Sequence, residues 1–124
     1  GADQYRLYLY IHKRLLKGQN SEAWEAVKIG VKSRMSGFYS FKVGDYVDYL
    51  APQTRDKKVL KDYLTVMEGF LNRGTRTEYM IYKTLSSLNV RLGNKQLAEQ
   101  QYAIYEEQME KERKQFEEFF KKSE

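Results

Sequence analysis

Leu15-Leu16-Lys17-Gly18-Gln19-Asn20-Ser21-Glu22-Ala23-Trp24 and Val90-Arg91-Leu92-Gly93-Asn94-Lys95-Gln96-Leu97-Ala98-Glu99 are two stretches built alike. Each holds a glycine with an alanine five residues later. Glycine reaches the left-handed backbone region without a steric penalty, and helices commonly end on such a residue. An alanine early in the next helix lets that helix approach its neighbour closely. The two stretches therefore predict helix–turn–helix elements, and a chain organised as helical hairpins.

Working outward, a first helix is expected from Gln4 to Lys17 with Asp3 as its N-cap. Tyr8, Ile11, Leu15 and Leu16 form its apolar face, with Tyr5 and Leu7 beside them. Asn20 or Ser21 caps a second helix reaching Met35, which turns Ala23, Trp24, Val27 and Val31 inward before Ser36-Gly37 breaks it. Phe38–Leu50 has helical spacing at Tyr39, Val43, Tyr46, Val47 and Leu50, although Gly44 weakens it. Its aromatic and β-branched content also suits a strand, but no other segment offers a partner strand, so helix is the reading. Pro52 then forces a turn.

A fourth helix is expected from Thr54 to Arg73, carrying Val59, Leu60, Tyr63, Leu64, Met67, Phe70 and Leu71, and ended by Gly74. Thr75 or Thr77 caps a fifth, which reaches Leu92 with Tyr82, Leu85 and Leu88 or Asn89 inward. The sixth runs from Lys95 towards Lys121, roughly 40 Å at 1.5 Å per residue. Its second half, residues 105–124, is an extension whose apolar residues are Met109, Phe116, Phe119 and Phe120 among many charges. Glu107/Lys111, Glu110/Lys114 and Glu118/Lys122 stand at i, i+4 and support helix there.

The 124 residues suit one domain with a real core. An apolar share of 41% with 31% charged residues is globular rather than disordered. No apolar run approaches the roughly 18 residues that a membrane span needs. Cysteine is absent, which removes disulfides, thiol nucleophiles and cysteine-based zinc sites. The net charge is +5, but residues 106–124 hold seven acids against five bases, leaving 17 bases and 10 acids in residues 1–105. A basic body suits acidic partners or nucleic acid, although solubility alone accounts for a charge of this size.

The first and last hairpins resemble tetratricopeptide repeats. In that family a small turn residue is followed by an alanine, then a large residue four positions on and a small one seven positions on. Gly18, Ala23, Val27 and Gly30 follow the series, as do Gly93, Ala98 and Tyr102, while Tyr105 is large where a small residue is expected. Tyr82, Leu85 and Ser86 match the pattern of the preceding helix. Leu7, Tyr10 and Ile11 are their counterparts, with Ile11 departing from the small position. Gly44-Asp45-Tyr46 looks like the middle turn, but Pro52 follows too soon for a full second helix. The resemblance implies an all-α fold of three stacked antiparallel hairpins, a short solenoid, with a long C-terminal helix. It also implies a concave groove lined by the first helix of each hairpin.

That implication, with the unusual count of eleven tyrosines, points to non-catalytic protein or peptide binding. Tyr5, Tyr8, Arg14, Tyr39, Tyr46, Tyr79 and Lys83 are the candidate contacts, since tyrosine gives large contact area with a polar tip. Arg55, Lys57, Lys58, Lys61, Arg73 and Arg76 add positive charge suited to a carboxylate. Phe116, Phe119 and Phe120 are read as a contact or homodimer surface. His12 has no cysteine partner or metal-binding motif, and no catalytic or cofactor motif is present, so no enzyme, cofactor or metal is expected. Two further readings stand beside peptide binding. One is a regulatory or sensor domain of a larger transcription or signalling protein, with the last helix as connector or dimer seam. The other is nucleic-acid binding through the basic body.

Overall fold

Among the described residues of the computed structural model, Gly18, Gly37, Gly93 and Arg34 take the left-handed conformation. They punctuate a fold that is described for residues 2–71 and 79–123. Those residues form six α-helices and no strand. The helices are α1 (Ala2–Leu16), α2 (Asn20–Lys32), α3 (Ser40–Leu50), α4 (Lys57–Leu71), α5 (Met80–Arg91) and α6 (Lys95–Ser123). A 3-10 turn, Ala51–Gln53, holds Pro52. The chain divides into two compact units, residues 1–53 and 54–124.

In the first unit, α1 ends on a double hydrogen bond. Gly18 N–H donates to the Leu15 carbonyl at 3.1 Å and Gln19 N–H to the Arg14 carbonyl at 2.9 Å, which closes a Schellman motif around Gly18. α2 starts one residue later, and Ala23 N–H donates to the Gln19 carbonyl. α2 ends the same way, with Arg34 in the left-handed place and Met35 N–H donating to the Gly30 carbonyl. The helix therefore stops three residues before Met35, ahead of Ser36-Gly37. Asp3 sits inside the first turn of α1, where its charge suits the helix dipole, rather than at the cap. Gln19 holds the N-cap position of α2, with no side-chain cap, in place of Asn20 or Ser21.

Ala23, Trp24, Ala26, Val27, Gly30 and Val31 are buried on α2, and Ile11 on α1. Leu16 is 89% exposed, because it lies about 140° around the helix from Ile11 at 100° per residue. α3 buries Val43, Gly44, Tyr46, Val47 and Leu50. Gly44-Asp45-Tyr46 is thus helix interior, and the turn comes at Ala51–Gln53. Phe38 lies flat against Gly30: a Cβ added there would stand 2.6 Å from its ring. The helix begins at Ser40, with Tyr39 exposed at its N-cap.

In the second unit, α4 starts at Lys57 rather than Thr54, because Asp56 caps it through a 2.9 Å bond from Lys58 N–H. Leu60, Tyr63, Met67 and Phe70 form its buried stripe. The expected helix end at Arg73-Gly74, the caps Thr75 and Thr77, and Arg76 lie outside the described residues. α5 buries Ile81, Thr84, Leu85, Ser86, Leu88 and Asn89, while Tyr82 is half-buried. The turn at Gly93 repeats that at Gly18. Gly93 N–H donates to the Val90 carbonyl, Asn94 N–H to the Asn89 carbonyl, and Ala98 N–H to the Asn94 carbonyl.

α5 and α6 meet across a polar seam. Ser86 Oγ donates to the Ala98 carbonyl at 2.7 Å, and Asn89 Nδ2 donates to Gln101 Oε1 at 2.8 Å. Asn94 Nδ2 donates to the other side of Asn89 at 3.0 Å. Ala98, Gln101 and Tyr105 are buried on α6, and beyond Tyr105 the helix runs exposed except for half-buried Glu110. Lys111 pairs with Glu107, while Glu110 and Glu117 both engage Arg113.

A side chain at Gly18 or Gly93 meets no neighbour, so the glycine is needed for its positive φ alone. Gly18→Ala and Gly93→Ala should each cost about 1–2 kcal/mol. Gly69 stands inside α4 with open space around it, so Gly69→Ala should stabilise by about 0.5–1 kcal/mol. Urea unfolding of the three variants checks both signs. Asn89→Leu should cost about 1–3 kcal/mol by orphaning buried Gln101, and a second change, Gln101→Leu, should recover much of the loss. A double-mutant cycle measures that coupling.

Candidate functional site

The sequence-derived candidates fall into both units, and each group has its own geometry. In the first unit, α1 carries Tyr5, Tyr8 and Arg14, and α3 follows Tyr39 and carries Tyr46. Tyr5 is 63% exposed and Tyr39 55%. Tyr8 is partly exposed, and its ring stands 4.3 Å from that of His12. Tyr46 departs from the expected surface role: it is 5% exposed and belongs to the core. Its hydroxyl meets His12 Nε2 at 3.2 Å. Position 46 lies between Val43 and Val47 on the buried face of α3, which is why the ring turns inward.

Lys42 completes this cluster and was not singled out from the sequence. Its ammonium lies 5.1 Å from the centre of the Tyr8 ring and 5.3 Å from that of Tyr46. The available signal was its place one helical turn before Tyr46. Beside it, Gln4, Tyr5, Tyr8, Gly37 and Phe38 line a groove of about 260 Å³. The cluster therefore offers two exposed tyrosine rings, one ammonium and a shallow slot. Arg14 plays another part. Its Nη1 donates to Gln19 Oε1 at 2.6 Å, and its guanidinium lies 4.7 Å over the Tyr10 ring. This ties Arg14 to its own turn, and its Nε is buried without a hydrogen-bond partner among the described residues.

Burial, and then the charge of Lys42, hold the His12 imidazole below its ordinary value of 6.5. Burial also pushes the Tyr46 hydroxyl up to about 12, helped by Tyr8 and Asp45. A neutral imidazole and a protonated phenol share one hydrogen bond, which fastens α1 to α3.

In the second unit, Tyr79 and Lys83 converge on Tyr105. The Tyr79 ring is 5.9 Å from that of Tyr105, and the Lys83 ammonium is 5.7 Å from the Tyr105 ring centre. Tyr102 adds a ring 5.6 Å from Tyr105. Next to them, α5 and α6 enclose an open groove of about 880 Å³, bordered by Lys83, Ser87, Val90, Tyr102 and Ala103. Phe116, Phe119 and Phe120 are exposed. Among the described residues no cluster of histidine and carboxylate side chains could hold a metal ion, and no helix is long and apolar enough to cross a membrane.

Fold and surfaces together define an all-α protein with aromatic and basic exposed patches. No known protein family, curated protein or solved structure matches the chain.

The His12 contact makes stability depend on pH. The unfolded imidazole titrates near 6.5 and binds more protons than the folded one, so the contribution of His12 is complete above that value and is lost as pH falls. Melting temperature should fall between about pH 7.5 and pH 5.5, and His12→Gln should flatten that slope. An unchanged slope in the variant would assign the effect to other groups.

Proposed function

We propose that this chain is a non-catalytic module that binds a protein or peptide segment rich in acidic groups, on the face formed by Tyr5, Tyr8 and Lys42. The observation that carries the reading is Lys42 standing over the exposed Tyr8 ring beside the groove of Gln4, Tyr5 and Phe38. A carboxylate at that position would meet an ammonium held on an aromatic face, while the slot takes an adjoining apolar side chain. Tyrosines suit such a surface because they lose little rotamer freedom on binding. The positive charge of residues 1–105 favours an acidic partner by long-range attraction.

The architecture that goes with this reading is a stack of three antiparallel hairpins, as in tetratricopeptide repeats. The matching turns at Gly18 and Gly93, each with a buried alanine five residues on, support it.

Fluorescence anisotropy with a labelled peptide ending in aspartate and glutamate, and with its amidated counterpart, tests the proposal on the full chain. Binding should favour the free carboxylate. Lys42→Ala and Tyr5→Ala should each weaken binding by about tenfold, or 1.4 kcal/mol, with the circular dichroism melt unchanged. Binding of a single-stranded oligonucleotide with a steep salt dependence, and no binding of either peptide, would move the assignment to nucleic acid.

A further inference from the structure

The groove on α5 and α6 occupies a face that carries a helix in the first unit. Placing Gly18 on Gly93 and Ala23 on Ala98 also places the bridging pair Arg14–Gln19 on Asn89–Asn94. The same alignment sets His12 on Ser87, Trp24 on Glu99, Val27 on Tyr102 and Val31 on Glu106. In the first unit Trp24, Val27 and Val31 are buried, and α3 reaches His12 through Tyr46. In the second unit the matching positions border the open groove. A helix-accepting face is thus present without its helix.

The distal half of α6 is the reverse case, an amphipathic helix without a face. Met109, Phe116, Phe119 and Phe120 are exposed. The Phe116 and Phe120 rings meet edge to face at 4.8 Å, and Phe119 joins at 5.9 Å. From Tyr102, which borders the groove, to Phe120 is five full turns at about 3.6 residues each, so the two rings stand in one line along α6. α6 is a single continuous helix, Lys95–Ser123, and its far end is carried away from its own groove at about 1.5 Å per residue. One chain cannot bring the two together; two chains can.

We propose that a second copy of this chain fills the groove. The distal half of α6 lies antiparallel on the α5–α6 groove of the partner, and the exchange is reciprocal about a two-fold axis. Tyr102 of each protomer then faces Phe120 of the partner subunit. This register also sets Glu99 near Lys122 of the partner subunit, and Lys83, which lies over Tyr105, near Glu117 of the partner subunit. The groove itself is charge-balanced, with Lys83 and Lys95 against Glu99 and Glu106, so apolar contact carries the fit and these two pairs set the register.

Sedimentation equilibrium on the full chain should show a dimer. Phe116→Ser with Phe120→Ser, and separately Val90→Arg with Ala103→Arg, should each weaken it by about a hundredfold. All four side chains are exposed, so at concentrations low enough for every protein to be monomeric, circular dichroism should report the same helix content and melt. The register has its own test, because the chain holds no cysteine. When Tyr102→Cys and Phe120→Cys proteins are mixed and oxidised, the mixed disulfide dimer should predominate. A monomer up to about 0.1 mM would overturn the proposal. So would a dimer indifferent to Val90→Arg with Ala103→Arg, or cross-linking of Phe120→Cys mainly to itself.

Discussion

A single residue of left-handed backbone at the end of a helix is the constraint on which the rest of this structure depends. At Gly18 and Gly93 it lets two carbonyls of the finishing helix accept bonds from the next two N–H groups. The chain then starts a new helix two residues past the glycine, so only three residues join the two helices. So short a connection leaves the two helices little choice of neighbour. It brings Ala23 and Ala98 to fully buried positions, and it places the side chains of Arg14 and Gln19, or Asn89 and Asn94, in bonding range across the turn. Packing, hydrogen bonding and the exposed grooves follow from that reversal.

Much of the helical architecture was legible in the sequence because glycine, proline and apolar spacing act locally. The turns at Gly18 and Gly93, the start of α6 at Lys95 and the turn at Pro52 follow from residue chemistry within a few positions. What escaped reading was set by other elements. Arg34 adopts a conformation that glycine usually takes, and nothing in its immediate sequence announces it. Tyr46 shares the apolar stripe of Val43 and Val47 yet also reads as a partner contact, and the His12 imidazole of α1 that holds its hydroxyl lies far from it in the sequence. Lys42 matters through α1, more than thirty residues away in the chain, and spacing along α3 alone could not reveal that partner.

The candidate site was legible in composition more than in position. Tyrosines and basic side chains do meet, within one helix for Arg14 with Tyr10 and Lys42 with Tyr46, and between helices for Lys42 with Tyr8 and Lys83 with Tyr105. Arg14 shows the limit of reading charge from sequence. Its guanidinium serves the turn and the Tyr10 ring, a structural use that a one-dimensional reading cannot separate from a surface clamp. The polar seam between α5 and α6 is similar. Ser86 and Asn89 read as inward positions of α5, but nothing in the sequence pairs them with the Ala98 carbonyl and Gln101, the contacts that fix how one helix is set against the other.

That seam gives the long sixth helix a mechanical character. Its base is held at Ala98, Gln101 and Tyr105, and its remaining length is free of buried residues. Such a rod converts rotation into displacement. A tilt of ten degrees at Tyr105 would carry Phe120 by about 4 Å, given a rise of 1.5 Å per residue. Small rearrangements at Asn89 or Gln101 would be written large at the phenylalanines, with the seam as the fulcrum of any such tilt.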